Sequence, residues 1–160
     1  MGTNRIPQIP LKSVLAAKSG FISEPWSKFI LKVYERLKIL QNEFIILDVS
    51  RDESTSLTTG TGKYYFKIPF AFDLSEVRAS VNTAPTSSTI IIDINKDGTS
   101  ILSTKLTIDI DEKSSFTATT SYVISDRVIA EDSEISIDID QIGSGIAGKG
   151  LKVYLLGSRP

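Results

Sequence analysis

The chain has 160 residues, 41% of them apolar and 23% charged, with a formal net charge of −1. That is enough for one domain of roughly 100–150 residues plus an appendage, and too apolar to be disordered throughout. The balanced charge argues against a nucleic-acid binder, which carries a basic surplus, and against a basic membrane-surface helix.

No apolar run approaches the ~20 residues that span a bilayer. The N-terminal patch VLAA is too short for a secretory leader, and Ile6 stands where a myristoylation signal needs Ser or Thr. Cysteine and histidine are both absent. This removes disulfides, thiolate nucleophiles and Cys-ligated zinc. It also removes the commonest general base and every Ser-His or Cys-His arrangement. Carboxylates, lysines and tyrosines remain, so an enzyme is disfavoured, and no cofactor or metal is expected.

Residues 1–22 contain Pro7, Pro10 and Gly20. The prolines forbid a regular helix, and the segment reads as an extended arm, ordered by whatever binds it. Ile6, Pro7, Ile9, Pro10, Leu11, Val14 and Leu15 are its candidate docking residues. A plain disordered leader is the alternative.

A helix is expected over 23–47. Ser23 is the N-cap, Glu24 sits beside the positive end of the macrodipole, and Pro25 occupies the first turn, where its missing N–H costs nothing. Ile22 is placed for a hydrophobic staple. Trp26, Ile30, Val33, Leu37, Leu40, Phe44 and Leu47 follow at alternating steps of four and three, the spacing of a coiled-coil seam. Roughly three heptads are marginal as an isolated helix, so burial must hold it. The helices of several chains could pack together, or each could lie on its own β-domain. Phe29 and Tyr34 widen the apolar face, which suits a trimer more than a dimer. The β-branched FIILDV at the end could instead leave the helix as a first strand.

Residues 48–62, DVSRDESTSLTTGTG, are Ser/Thr/Gly-rich and without periodicity, and read as a linker. From Lys63 to the end the period is two. Apolar sets are Tyr64/Phe66/Ile68, Val77/Ala79/Val81, Ile90/Ile92/Ile94, Leu106/Ile108/Ile110, Ile135/Ile137/Ile139 and Leu151/Val153/Leu155. A short GTSILS strand and a weaker TATTSYVI bring the count to about eight. One clean apolar face per strand describes an antiparallel β-sandwich, and eight strands fit a jelly roll. Both sheets are expected to be polar on the outside. The fold class is thus mainly β: a jelly-roll-like head, 63–160, preceded by one helix and an arm.

Three motifs fail in context. Asp93-Ile94-Asn95-Lys96-Asp97-Gly98 matches half an EF-hand loop, but Thr104 stands where a bidentate Glu belongs, and the flanks are strands. A hairpin turn at Asn95–Gly98 is the better reading, with a loose Ca²⁺ site the lesser one. Gly143 to Gly150, GSGIAGKG, approaches a P-loop, but Gly150 replaces the Mg²⁺-binding hydroxyl and a strand follows. The pairs Asp109/Asp111 and Asp138/Asp140 place carboxylates about 7 Å apart on strand faces, usable by a glycosidase but more simply a solvated exterior that discourages edge pairing. Tyr65, Tyr122 and Tyr154 are the candidate exposed rings.

The span IPFAFDLSEVRASVNTAPTSSTIIIDINKDGTSIL, with LTIDIDEKSS, ISDRVIAEDSEISIDIDQIGS and GKGLKVYLLG, resembles a β-sandwich domain recurrent in virion proteins of tailed bacteriophages. VRASVNTAPT, IIDINKDGTSI and DIDQIGS with GKGL are its most telling pieces. ISEPW before a short helix resembles the attachment end of small phage fibre or decoration proteins. The resemblance covers about two-thirds of the chain and rests on strand and turn residues. It implies a homotrimer in the virion, assembled in the host cytoplasm, with the arm docked on capsid, neck or tail proteins. It implies no catalytic residues. A second expectation is an adhesin head binding a host-surface glycan or protein through tip loops Thr83–Ser88, Asn95–Gly98 and Gly143–Lys149. Neither nucleic acid nor membrane is expected as a partner.

Overall fold

The computed structural model describes residues 24–39 and 42–160. The arm residues Ile6 to Leu15 and the seam residue Leu40 lie outside them, as does the Trp26 side chain. The chain divides into two compact units, Met1–Gln41 and Asn42–Pro160.

In the first unit, α1 spans Glu24–Ile39. It is shorter than the helix expected over 23–47. After two further residues, NEFIILD forms β1, Asn42–Asp48. The helical spacing and the strand spacing overlap here, and the strand prevails because β1 pairs along its whole length with the last strand of the chain. Phe44 and Leu47, three apart, would share a helix face but fall on opposite faces of a strand. Leu47 is 1% exposed and belongs to the core, whereas Phe44 is 69% exposed. Neither extends the seam along the helix.

The second unit has β2 (Gly60–Lys67), β3 (Phe72–Ser80), β4 (Ile90–Lys96), β5 (Thr99–Ser100), β6 (Leu102–Thr104), β7 (Leu106–Ile108), β8 (Val123–Ile124), β9 (Val128–Ile129), β10 (Glu134–Gln141) and β11 (Lys152–Ser158). One sheet has the order β1-β11-β3-β9, and the second the order β2-β10-β4-β5, with β7 also on β4. A small β6-β8 pair completes the set. Every pairing of these strands is antiparallel. This is a mainly β, sandwich-like fold.

The alternating sets explain the packing. Val77, Ala79, Val153 and Leu155 from one sheet and Ile92, Ile94, Ile135 and Ile137 from the other are all at most 1% exposed and form one hydrophobic cluster. Each of the valine, leucine and isoleucine side chains contributes roughly 1.5–3 kcal/mol on leaving water. Ile110 departs from the expected inward set: β7 stops at Ile108, and Ile110 is 45% exposed in the turn that follows. Asp111 there has φ 62°, so the chain reverses rather than continuing as a strand.

The segment expected as a linker is part of the domain. Val49 and Leu57 are buried in the same core, and Leu57 donates its N–H to the Gly148 carbonyl at 2.9 Å. Two apolar anchors in 15 residues of polar sequence leave no period to read, yet they tie the loop down. The compact unit therefore begins at Asn42, not Lys63.

Candidate interaction surface

The helix carries four of the expected seam residues, Trp26, Ile30, Val33 and Leu37, at steps of four, three and four. Val33 is 40% and Leu37 45% exposed, Ile30 is half-buried, and Leu31 beside them is 44% exposed. An α1 of 16 residues is about four turns, so most of its stability has to come from packing of its apolar face.

The outer face of the β1-β11-β3 sheet is the feature that was not anticipated. On β1, Ile45 and Leu47 point to the core, while Phe44 and Ile46, 69% and 51% exposed, point away from it. Phe44 lies opposite Leu156 and Ile46 opposite Tyr154 on β11. Tyr154 in turn lies opposite Arg78 on β3. Its hydroxyl hydrogen-bonds Ser80 at 3.0 Å, leaving its ring half-exposed within the patch. Phe44, Leu156, Tyr154, Arg78 and Ser114 line an open groove of about 340 Å³.

Arg78 marks the boundary between this groove and a smaller one, about 210 Å³, lined by Glu76, Phe116, Thr120, Ser121 and Tyr122 among others. The guanidinium stands 4.8 Å from the Phe116 ring centroid, within cation–π range, and is hydrogen-bonded to Glu76. That bond to Glu76 raises the Arg78 pKa against the opposing effect of burial. Phe116 is 71% exposed, on a short 3-10 turn, Ser115–Thr117, pinned where Ala79 donates its N–H to the buried Ser115 hydroxyl at 2.8 Å.

The other sheet's outer face is polar. Asp138 and Asp93 are directly opposed across β10 and β4, an arrangement that costs stability unless compensated. Asp138 accepts from the Gly62 N–H at 2.6 Å and Asn95 Nδ2 at 3.0 Å. Asp93, its side chain only 7% exposed, accepts from the Ser100 hydroxyl at 2.6 Å and pairs with Lys105 at 3.0 Å. Lys105 also pairs with Asp140, and these two carboxylates, Asp140 first, raise its pKa. The carboxylates are thus held within a structural network. Among the described residues no three acidic side chains converge as a metal site would require.

The remaining candidates are accounted for by structure. Asp97 and Gly98, at φ 49° and 81°, make the two-residue hairpin turn between β4 and β5. Asp97 Oδ1 accepts from the Glu134 N–H at 2.8 Å, so it does not join Asp93 around a common point. The Gly-rich segment is knitted to the Thr83–Ser88 loop: Thr86 donates its N–H to Ile146 O at 3.0 Å, Gly145 to Thr86 O at 3.1 Å, and Ile146 to Thr86 Oγ1 at 2.7 Å. Two of the three expected tip loops therefore form one bonded tip, with Ile146 47% exposed. Asp109 accepts from the N–H and hydroxyl of Thr119, both at 2.8 Å, and with Asp111 lies in the turn after β7, so this pair is not on a strand face. Tyr65 is exposed as expected, whereas Tyr122 packs against the core.

The sequence did carry a signal for the apolar sheet face. Read as a strand, NEFIILD is apolar on both sides, the mark of a strand covered on both faces. Read as the end of a heptad stripe, that signal is lost. Comparison with family models, curated proteins and solved structures returned no significant match.

Proposed function

We propose that this protein is a structural component of a phage virion, a homotrimeric fibre or decoration protein docked through its N-terminal arm and displaying the β-sandwich head. The observation that carries the reading is α1, whose seam residues Val33 and Leu37 stay 40–45% exposed in the single chain. A heptad-spaced stripe left open in this way supports packing against the same helix of further copies. The strand order lends support. Taking β1, β2, β3, β4, β7, β9, β10 and β11 as strands one to eight, the sheets run one-eight-three-six and two-seven-four-five. We read this as the double Greek key of a jelly roll, a fold used in viral capsid and lectin domains. The reading assigns no catalysis.

Sedimentation equilibrium of the full chain tests it. A trimer at micromolar concentration is expected, dissociated by Leu37→Asp and kept by Lys38→Ala; a wild-type monomer refutes it. Labelled protein imaged on intact particles would then place the docking site on capsid, neck or tail.

A second reading, a host-surface adhesin, is favoured by the groove at Arg78. It offers an aromatic ring, a charge pair and the hydroxyl residues Thr120 and Ser121, the mixture a sugar needs. A glycan array probed with the full chain decides it: no retained glycan removes the role.

A further inference from the structure

We propose that the outer face of the β1-β11-β3 sheet, centred on Phe44, Ile46, Tyr154 and Leu156, is a head-to-head contact occupied by a second copy of this chain. The inference rests on the assembly reading above and deepens it. Heads on a fibre could hang free from a helical stem; here they would carry much of the association themselves.

The first argument is insufficiency of the stem. Four seam positions on a 16-residue helix amount to about two heptads. Stable association of separate chains buries roughly 800 Å² per partner and must offset several kcal/mol of lost rigid-body freedom. So few seam side chains fall short of that, and further surface has to close.

The second argument is covalent geometry. Only two residues separate Ile39, the end of α1, from Asn42, the start of β1. A connection that short spans at most about 10 Å. Copies whose helices associate must therefore bring the starts of their β1 strands close to a common axis. β1 is also the terminal strand of its sheet, with no further strand paired to it among the described residues.

The third argument is the chemistry of what β1 presents. Edge strands that face water are normally protected by charge or proline. Phe44 and Ile46 are the opposite, and in register with Leu156 and Tyr154 they continue the apolar surface onto the next strand. Charged pairs border it: Lys152 with Glu53 at 2.5 Å and Arg78 with Glu76. An apolar centre within a charged rim is the composition of a protein–protein contact. The groove beside Phe44 is open and lined by residues of the same patch, so a large apolar side chain from a neighbouring copy has a place to enter.

The absence of native cysteine makes single-cysteine variants clean reporters. Full-length Ile46→Cys is treated with a short bis-maleimide, with Tyr65→Cys, exposed on the other sheet, as control. Sedimentation of Ile46→Ser is compared with wild type and Leu37→Asp. Covalently linked copies are expected from Ile46→Cys and none from Tyr65→Cys, with at least a tenfold higher apparent dissociation constant for Ile46→Ser at unchanged circular dichroism. A wild-type trimer that Leu37→Asp dissociates, but that neither cross-links through Ile46→Cys nor weakens in Ile46→Ser, overturns the head contact and leaves the assembly reading standing. A chain monomeric at every concentration overturns both. If, in that monomer, the thiol of Ile46→Cys resists alkylation, the face is covered from within the same chain.

Discussion

Replacing Lys105 by Met probes the polar face of the second sheet. The change keeps the length and apolar stem of the side chain but removes the ammonium that joins Asp93 and Asp140. Asp93 is then a carboxylate with 7% of its side chain exposed, directly across from Asp138, and left with hydrogen bonds from Ser100 and the Ile94 N–H. Removing one partner of a fully buried pair costs about 3–5 kcal/mol. The Lys105 side chain is 43% exposed, so solvent screens part of the interaction, and a loss of about 1–2 kcal/mol at pH 7 is expected in urea unfolding. The second substitution Asp93→Asn, which still accepts from Ser100 without a charge, should recover at least half of it. The pH dependence has a definite sign. Because the Lys105 pKa is raised by Asp140 and Asp93, its contribution is fully present below the ordinary lysine value of about 10.5 and fades as pH rises through the raised one. The difference between wild type and Lys105→Met should shrink accordingly at strongly alkaline pH. A loss below about 0.5 kcal/mol, or a double variant no more stable than the single one, would refute this account of the network.

Gly157 lies in β11 where a Cβ would sit 2.1 Å from the Asp73 carbonyl oxygen; Gly157→Ala should cost about 3 kcal/mol in the same assay and disturb the register with β3. The Asp52 carboxylate, bonded by Thr55 and by the N–H and hydroxyl of Ser54, has its pKa lowered to about 2. It should hold the 52–55 turn at all pH values above the usual aspartate range and release it as pH falls toward 2, read by NMR titration of its carboxyl and the Ser54 amide; a midpoint near 3.8 would contradict the bonding. Leu37→Asp and Ile46→Ser, the assembly variants, should leave the unfolding free energy of the head within about 0.5 kcal/mol when both are compared as monomers, since Leu37 belongs to the other compact unit and Ile46 points away from the core.

Period-two alternation made most of the head legible. Spacing alone places Ile90, Ile92, Ile94, Ile135, Ile137 and Ile139 inward, and all are at most 2% exposed. A strand with one wet face writes its orientation into the chain residue by residue. The turn at Asp97-Gly98 was legible for a similar local reason, since positive φ at two successive residues selects for this dipeptide. The hydrogen-bonded tip of Thr83–Ser88 and Gly143–Lys149 was not, because its partners are some sixty residues apart and their bonds run mostly through the backbone.

The 40–48 region shows where the sequence alone stops. Trp26 to Leu47 keeps a regular four-three spacing throughout, and only the β-branched FIILDV at its end signals locally that a strand could replace the helix. What decides is the C-terminal strand: seven residues of β11 pair with β1 and draw Leu47 into the core. The same event turns Phe44 and Ile46 outward and creates the apolar face on which the proposed assembly depends. The sequence by itself determined a β-rich head, a preceding amphipathic helix and the absence of histidine and cysteine chemistry. Tertiary pairing over more than a hundred residues determined which apolar side chains were buried inside the domain and which stayed exposed on its surface.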